Sequence, residues 1–179
     1  MKKILLTTLV LALVMASLAM AEDKRHDVKD AVFENPTLMV IAGTLDQNSP
    51  IWGRGFNNVD PPDISCNFPL SASSTGQYYD VFCITSTDDL PIEVIVDAAA
   101  TTIGDTHMEL YCDPFDPNNP LDNAVFSDDD DGDGLMSAFT AADNLMLSPG
   151  TDYWLVLTTF SPGDMGDFVI NTSDNVVLC

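Results

Sequence analysis

The residues of this chain whose types and spacing could do chemistry lie between Ser127 and Leu135. There the sequence runs Asp128-Asp-Asp-Asp-Gly-Asp-Gly134, five carboxylates within six residues. Anions packed that densely repel one another, so the loop is either splayed into water or closed around a cation that neutralises it. Asp129-x-Asp131-x-Asp133-Gly134 has the alternation that opens an oxygen-rich calcium loop, with glycine for the sharp turn and Leu135 offering its backbone carbonyl. The twelfth position of such a loop falls on Thr140 rather than a bidentate Glu, and no flanking helices are evident. A site here must be completed by neighbours such as Asp128, Asp130, Asp113, Asp116 or Asp143. Asp128, Asp129, Asp131 and Asp133 are the candidate metal ligands, and calcium is the expected ion. Magnesium retains water and takes fewer protein carboxylates, so it fits less well. An open, solvated acidic turn is the alternative.

Little else in the chain is equipped for catalysis. Gly-x-Ser-x-Gly, His-Glu-x-x-His and the phosphate loop are all missing, and neither His26 nor His107 has a partner at metal or triad spacing. Glu93 and Glu109 could be imagined as paired carboxylates for glycoside hydrolysis, but alternation on two strands is also an ordinary way to place exposed acids. A non-catalytic protein is expected. Trp52, Phe56, Tyr78, Tyr79, Tyr111 and Trp154 could form a sugar-stacking platform. Trp154, in Tyr-Trp-Leu-Val-Leu, reads more simply as packing. Trp52, beside Arg54 in a Gly- and Asn-rich stretch, is the better exposed candidate, although a packing role is favoured there too.

Charge narrows the partners. The chain has 28 acidic residues against six basic ones, a formal charge of −22. Lys2 and Lys3 precede an apolar run from Ile4 to Leu18 and then Ala19-Met20-Ala21, the pattern of a cleaved export signal of bacterial type over residues 1–21. A mature chain starting at Glu22 keeps all 28 acids but only Lys24, Arg25, Lys29 and Arg54, giving −24. No further stretch is long and apolar enough to span a membrane. Nucleic acid and anionic membrane surfaces need clustered Lys or Arg and are disfavoured, whereas cations or a basic protein are natural counterparts. All but four of the acids are Asp, which favours turns, caps and metal loops over helix interiors, although an acidic surface can also be simply solvating.

Cys66, Cys83, Cys112 and Cys179 are an even set without zinc spacing, so two disulfides are expected in a secreted, extracellular or periplasmic protein. Three connectivities are open. Cys66 with Cys83 and Cys112 with Cys179 is the preferred one: the first would close a loop of roughly 20 residues, worth about 3 kcal/mol, and the second would fasten the chain end.

The elements that must position these residues are strands. Residues 22–36 lack a sustained apolar period and read as a flexible arm. Strand-like runs follow at Thr37–Ala42, Tyr78–Thr85, Ile92–Asp97, His107–Tyr111, Asn123–Phe126, Asn144–Leu147, Asp152–Thr159, Gly166–Ile170 and Asn175–Leu178. Ile92, Val94 and Val96 alternate with Glu93, Ile95 and Asp97; Met108 and Leu110 oppose His107, Glu109 and Tyr111. Short alternating runs with Gly, Pro, Asn and Asp between them predict an all-β fold, an antiparallel β-sandwich or jelly roll of eight to nine short strands over residues 37–179. Gly43 to Gln77 reads as a long excursion that Cys66 would pin, and Met136 to Asp143 fits either a helical turn or a short strand and bend.

From Gly43 to Ile170 the order of features resembles the bacterial pre-peptidase C-terminal type module. The resemblance is carried by Gly43-Thr-Leu-Asp-Gln-Asn-Ser-Pro50, Tyr78-Tyr-Asp-Val-Phe82, Leu110-Tyr111 leading into Phe115-Asp-Pro-Asn-Asn-Pro-Leu121, the Asp128 to Gly134 loop, Leu147-Ser-Pro-Gly-Thr-Asp-Tyr153 and Phe160-Ser-Pro-Gly-Asp-Met-Gly-Asp-Phe168. It implies a secreted β-sandwich with a non-catalytic role in binding, targeting or stabilising at the cell exterior, in some members with calcium. The module stands here without a peptidase ahead of it, which departs from the family's accessory-to-protease role; an extracellular protein or glycan is the partner considered beside calcium. A structural subunit of an extracellular layer or filament, pairing through an exposed strand such as Thr37–Ala42, is the second reading, and a carbohydrate-binding module the third.

Overall fold

The structure is a computed structural model, and it describes residues 38–57 and 59–179. The expected export signal and the arm over 22–36 lie outside the described residues. Thr37–Cys179 is one compact unit, and its described part is an all-β sandwich, as the alternation predicts. Ten strands run β1 (Val40–Leu45), β2 (Ile51–Phe56), β3 (Ser71–Ser86), β4 (Val94–Val96), β5 (Thr106–Cys112), β6 (Ala124–Asp128), β7 (Ala138–Phe139), β8 (Tyr153–Thr159), β9 (Gly166–Thr172) and β10 (Val176–Leu178). One sheet has the order β1-β9-β4-β7; the other has the order β10-β3-β8-β5-β6, with β2 joined to β3 off that path. Every pairing is antiparallel.

The core between the sheets comes from one parity of each strand. Met108 and Leu110 of β5 sit opposite Leu157 and Leu155 of β8, and all four are fully buried. Phe82 of β3 reaches Phe168 of β9 across the layer, with ring centroids 6.0 Å apart. Phe168 fits because its partner on β1 is Gly43, where a Cβ would stand 2.5 Å from the ring. That is the physical need behind the glycine opening the Gly43 to Pro50 motif.

The other parity of β5 departs from an ordinary sandwich. His107, Glu109 and Tyr111 face away from the first sheet yet are fully buried, because β2 and the first half of β3 curl over that side. β3 is sixteen residues long: residues 71–78 pair with β2, and 79–84 pair with β8. The predicted strand at Tyr78–Thr85 was its second half, and the long excursion of the sequence reading contains β2 and the first half of β3. Two register shifts in β2, at Trp52/Gly53 and Arg54/Gly55, strengthen the twist that folds this hairpin over. Met136 to Asp143 holds both β7 and a 3₁₀ turn, Ala141–Asp143. Asn144–Leu147 contributes only a single bridge, Pro91 to Met146.

The disulfides correct the preferred pairing: they join Cys66 to Cys112 and Cys83 to Cys179. The segment carrying Cys66 does not stay beside β3, into which it leads. It runs along the outer edge of β6, where the Asp63 amide donates to the Val125 carbonyl and the Phe68 amide to the Ala124 carbonyl. That path brings Cys66 to the end of β5. Cys179 follows β10, which pairs with β3, and so meets Cys83.

Candidate functional site

The acidic loop leaves β6 and returns into β7. Asp128, the last residue of β6, is buried, and its Oδ2 accepts from the Asp131 amide at 3.2 Å and the Ala138 amide at 2.8 Å. One carboxylate oxygen thus turns the loop and caps an outward amide of the two-residue edge strand β7. Gly132 donates its amide to the Met136 carbonyl at 2.8 Å, and a Cβ at 132 would stand 2.5 Å from that same oxygen. Burial raises the Asp128 carboxyl to about 7, against the two amide bonds, and the charges of Asp131 and Asp129 add to the rise.

The four candidate ligands diverge. Asp128 and Asp131 line a cleft of about 360 Å³ whose wall also carries Asp60 and Asp143, with Val59 and Phe126 as apolar neighbours. Asp129, nearly buried, acts on Asp105 and on the Arg54 guanidinium as well as on Asp128, and does not line the cleft. Asp133, like Asp130, is exposed. Among the remaining helpers, Asp143 reaches the cleft. Asp113 instead accepts from Trp154 Nε1 at 2.9 Å, and Asp116 is held below the ordinary carboxylate range by the Asn118 amide and the Asn119 and Asn118 side chains in its own turn. Asp60, outside the acidic run, also lines the cleft, with residues 59–62 beside Phe126 and Asp128 of β6; the Asn57 amide donates to Ser127 Oγ at 3.3 Å. Among the described residues, the carboxylates of the loop do not bring three ligand atoms within 4.8 Å of one another. The triple that does, Cys83, Cys179 and Asp152, contains the sulfurs of a disulfide.

A second cluster lies under the β2–β3 hairpin. Arg54 is 2 % exposed although it is the only basic residue after Lys29. Its Nη2 and Nε donate to the Phe160 carbonyl at 3.2 and 3.4 Å, its Nη1 to the Gly55 carbonyl at 3.1 Å, and its guanidinium lies 4.4 Å from the Phe160 ring centre. Burial lowers its pKa; the charges of Glu109, Asp129 and Asp105 oppose that. Asp105 is in turn raised by burial and by Asp129, with Arg54 pulling the other way. Glu109 Oε1 accepts from the Gly55 amide at 3.1 Å, and Oε2 accepts from the Tyr111 hydroxyl. Burial, then the Glu109 charge and this bond, hold the Tyr111 hydroxyl well above its usual pKa. His107 Nε2 lies 3.3 Å from Glu109 Oε1 but off the hydrogen-bond direction, and neither ring nitrogen has a hydrogen-bond partner. The Gln77 amide shares the Phe160 carbonyl at 3.4 Å.

This cluster corrects the reading of Glu109, which is not an exposed acid but a buried carboxylate that accepts from the Gly55 amide of β2. Beside it His107 is wholly enclosed against Phe56. Trp52 is 4 % exposed, packed on Tyr79, Tyr111 and Phe115 with Nε1 donating to Thr158 Oγ1 at 3.1 Å, so it offers no face to a sugar. The signal available in the sequence was Arg54 itself, a lone cation inside an acidic chain.

No known protein family, curated protein sequence or solved structure matches the chain. Among the described residues, no helix is long and apolar enough to cross a membrane, and two disulfides fit an oxidising compartment.

Proposed function

We propose that this chain is a secreted, non-catalytic β-sandwich module of the pre-peptidase C-terminal type, which binds at the cell exterior and takes calcium at the Asp128 to Asp133 loop. The observation that carries this reading is the cleft walled by Asp60, Asp128, Asp131 and Asp143. Two backbone amides already hold Oδ2 of Asp128, leaving Oδ1 outside both bonds. The carboxyl is buried among like charges, and a divalent cation relieves both the repulsion and the cost of ionising it. Calcium suits the place better than magnesium because it accepts many oxygen ligands in flexible geometry, and the Asp131 amide bond to Asp128 keeps the two carboxylates on one turn. Asp133 and Asp129 would join by closure of the same turn. The role in binding an extracellular protein or glycan rests on the resemblance and on the acidic surface, and the buried cluster around Glu109 serves the scaffold.

Calorimetric titration of calcium into the metal-free protein tests this reading. A saturable heat that Asp131→Ala abolishes and that magnesium reproduces only weakly is the expected result. Absence of calcium heat, or equal heats in the wild type and Asp131→Ala, would leave the loop as solvated surface.

A further inference from the structure

We propose that the Asp133–Gly134 peptide is a covalent modification site, where the folded protein converts its aspartyl link to an isoaspartyl one, while the fold protects the neighbouring Asp131–Gly132 peptide from the same reaction. The sequence confines this chemistry to one loop. Of the ten glycines, only Gly132 and Gly134 follow an aspartate, and none follows an asparagine. Glycine matters at the second position because the attacking atom is its backbone nitrogen, and no Cβ obstructs the approach.

In the reaction the Gly134 nitrogen attacks Cγ of Asp133. An N–Cγ bond forms, and the carboxyl hydroxyl leaves as water with the hydrogen of the amide. Water then adds to one of the two carbonyls of the five-membered imide. Addition at Cγ breaks the new bond and restores aspartate. Addition at the main-chain carbonyl breaks the original peptide bond instead, so the chain runs on through Cβ and Cγ and the carboxylate sits on Cα. The water lost is regained, the mass is unchanged, and no oxidant, reductant or cofactor takes part.

The two peptides share their residue types and differ in their surroundings. The Gly132 amide donates to the Met136 carbonyl at 2.8 Å, and a Cβ at 132 would stand 2.5 Å from that oxygen. Its nitrogen cannot turn toward Cγ of Asp131 without giving up that bond. The Asp131 amide donates to Asp128 Oδ2 at 3.2 Å, which holds the other side of the same dipeptide. Asp133 and Gly134, by contrast, are exposed. Among the described residues no backbone hydrogen bond holds the Gly134 amide, and nothing beyond its chain neighbours lies within 4 Å of a Cβ built there. Gly134 takes a φ of 76°, in the left-handed region. The chain is fastened again one residue later, where the Thr106 amide donates to the Leu135 carbonyl at 3.1 Å. The methylene that the reaction adds to the main chain therefore enters the stretch between two anchors that has room for it.

Prolonged warm incubation of the full chain in chelator at mildly acid pH tests the proposal independently of metal binding. Isoaspartate is then read by transfer of labelled methyl groups from S-adenosylmethionine with an isoaspartyl carboxyl methyltransferase, followed by chymotryptic mapping. The folded wild type should accumulate label in the peptide that begins at Ser127. Asp133→Glu, whose longer side chain would have to close a six-membered ring, should lose nearly all of it, and Asp131→Glu should keep it. Gly134→Asn tolerates the left-handed region but crowds the nitrogen, so it should slow labelling several-fold with an unchanged unfolding midpoint. In urea, Asp133→Glu should gain label at Asp131, because the bond to Met136 is gone. A folded wild type that takes no label while the unfolded chain does overturns the proposal. So does a folded Asp133→Glu that is labelled as fast as the wild type, since the fold would then not protect Asp131.

Discussion

Glu109 illustrates how one side chain can be misread from spacing alone. On a two-residue period it looks like an acid on the wet face of a strand, and the period itself is right. The wet face is covered, however, and the carboxylate holds the Gly55 amide on one oxygen and the Tyr111 hydroxyl on the other, within the field of Arg54. Removing a buried acceptor strands its donor, at about 1–3 kcal/mol. Glu109→Ala leaves the Gly55 amide without this acceptor and should lower stability by about 1–3 kcal/mol in urea unfolding, and Glu109→Gln, which keeps an acceptor for the amide, should cost less. Equal losses from both variants would mean that the charge, and not the acceptor, is what the site uses. Asp128 gives a prediction of the opposite pH sign to an ordinary salt-bridged aspartate. Its folded-state pKa, about 7, is raised above the ordinary 3.8, so the native state holds the proton more tightly than the unfolded chain. The contribution of this group is greatest below pH 4 and is lost as the pH rises through 7. In metal-free protein, Asp128→Asn should flatten that fall between acid and neutral pH, read as the difference in unfolding midpoint between the two proteins.

At the scale of elements, alternation in residues 92–97 and 107–111 was enough to place β4 and β5 and to assign their faces. Legibility failed where long-range packing overrides local pattern. Ile51–Phe56 contains two glycines and a buried arginine, so it has no alternating signature, and it is a strand because β3 is long enough to carry it over β5 and β8. The disulfide pairing failed for the same reason: nothing local says that the segment around Cys66 follows β6. Of the candidate site, the run of carboxylates with glycine at its turn was legible as a cluster, but the burial of Asp128 and the meeting of Asp131 with Asp60 and Asp143 depend on segments distant in sequence. The Cys66–Cys112 crosslink spans 46 positions and Cys83–Cys179 spans 96. In the chain-entropy account each removes about 4–5 kcal/mol of unfolded-state freedom, more than the nearest-neighbour pairing would. Replacing Cys66 and Cys112 together by Ser should lower the unfolding free energy by about that amount in denaturant titration and expose the 63–68 segment to proteolysis. An unchanged cleavage pattern would mean that the bonds to Val125 and Ala124 hold the segment unaided. Trp52→Ala should cost about 3–5 kcal/mol without changing glycan binding, since the ring is enclosed.

For the whole molecule, the surface charge and the scaffold lead to one claim. The compact unit carries its only Lys or Arg inside and most of its carboxylates outside, and one of the few buried carboxylates, Asp128, lines an acidic cleft. Self-repulsion on this scale destabilises the folded state, and screening by salt should recover part of the loss without distinguishing one cation from another. A bound ion acts differently: it stabilises the fold by mass action, by about 2.7 kcal/mol at a hundredfold excess over its dissociation constant. The most direct measurement is thermal unfolding at neutral pH and fixed ionic strength, in calcium and in chelator, for the wild type and for Asp131→Ala. The account predicts a higher midpoint in calcium for the wild type and none for the variant. Identical midpoints for the wild type in calcium and in chelator would contradict it.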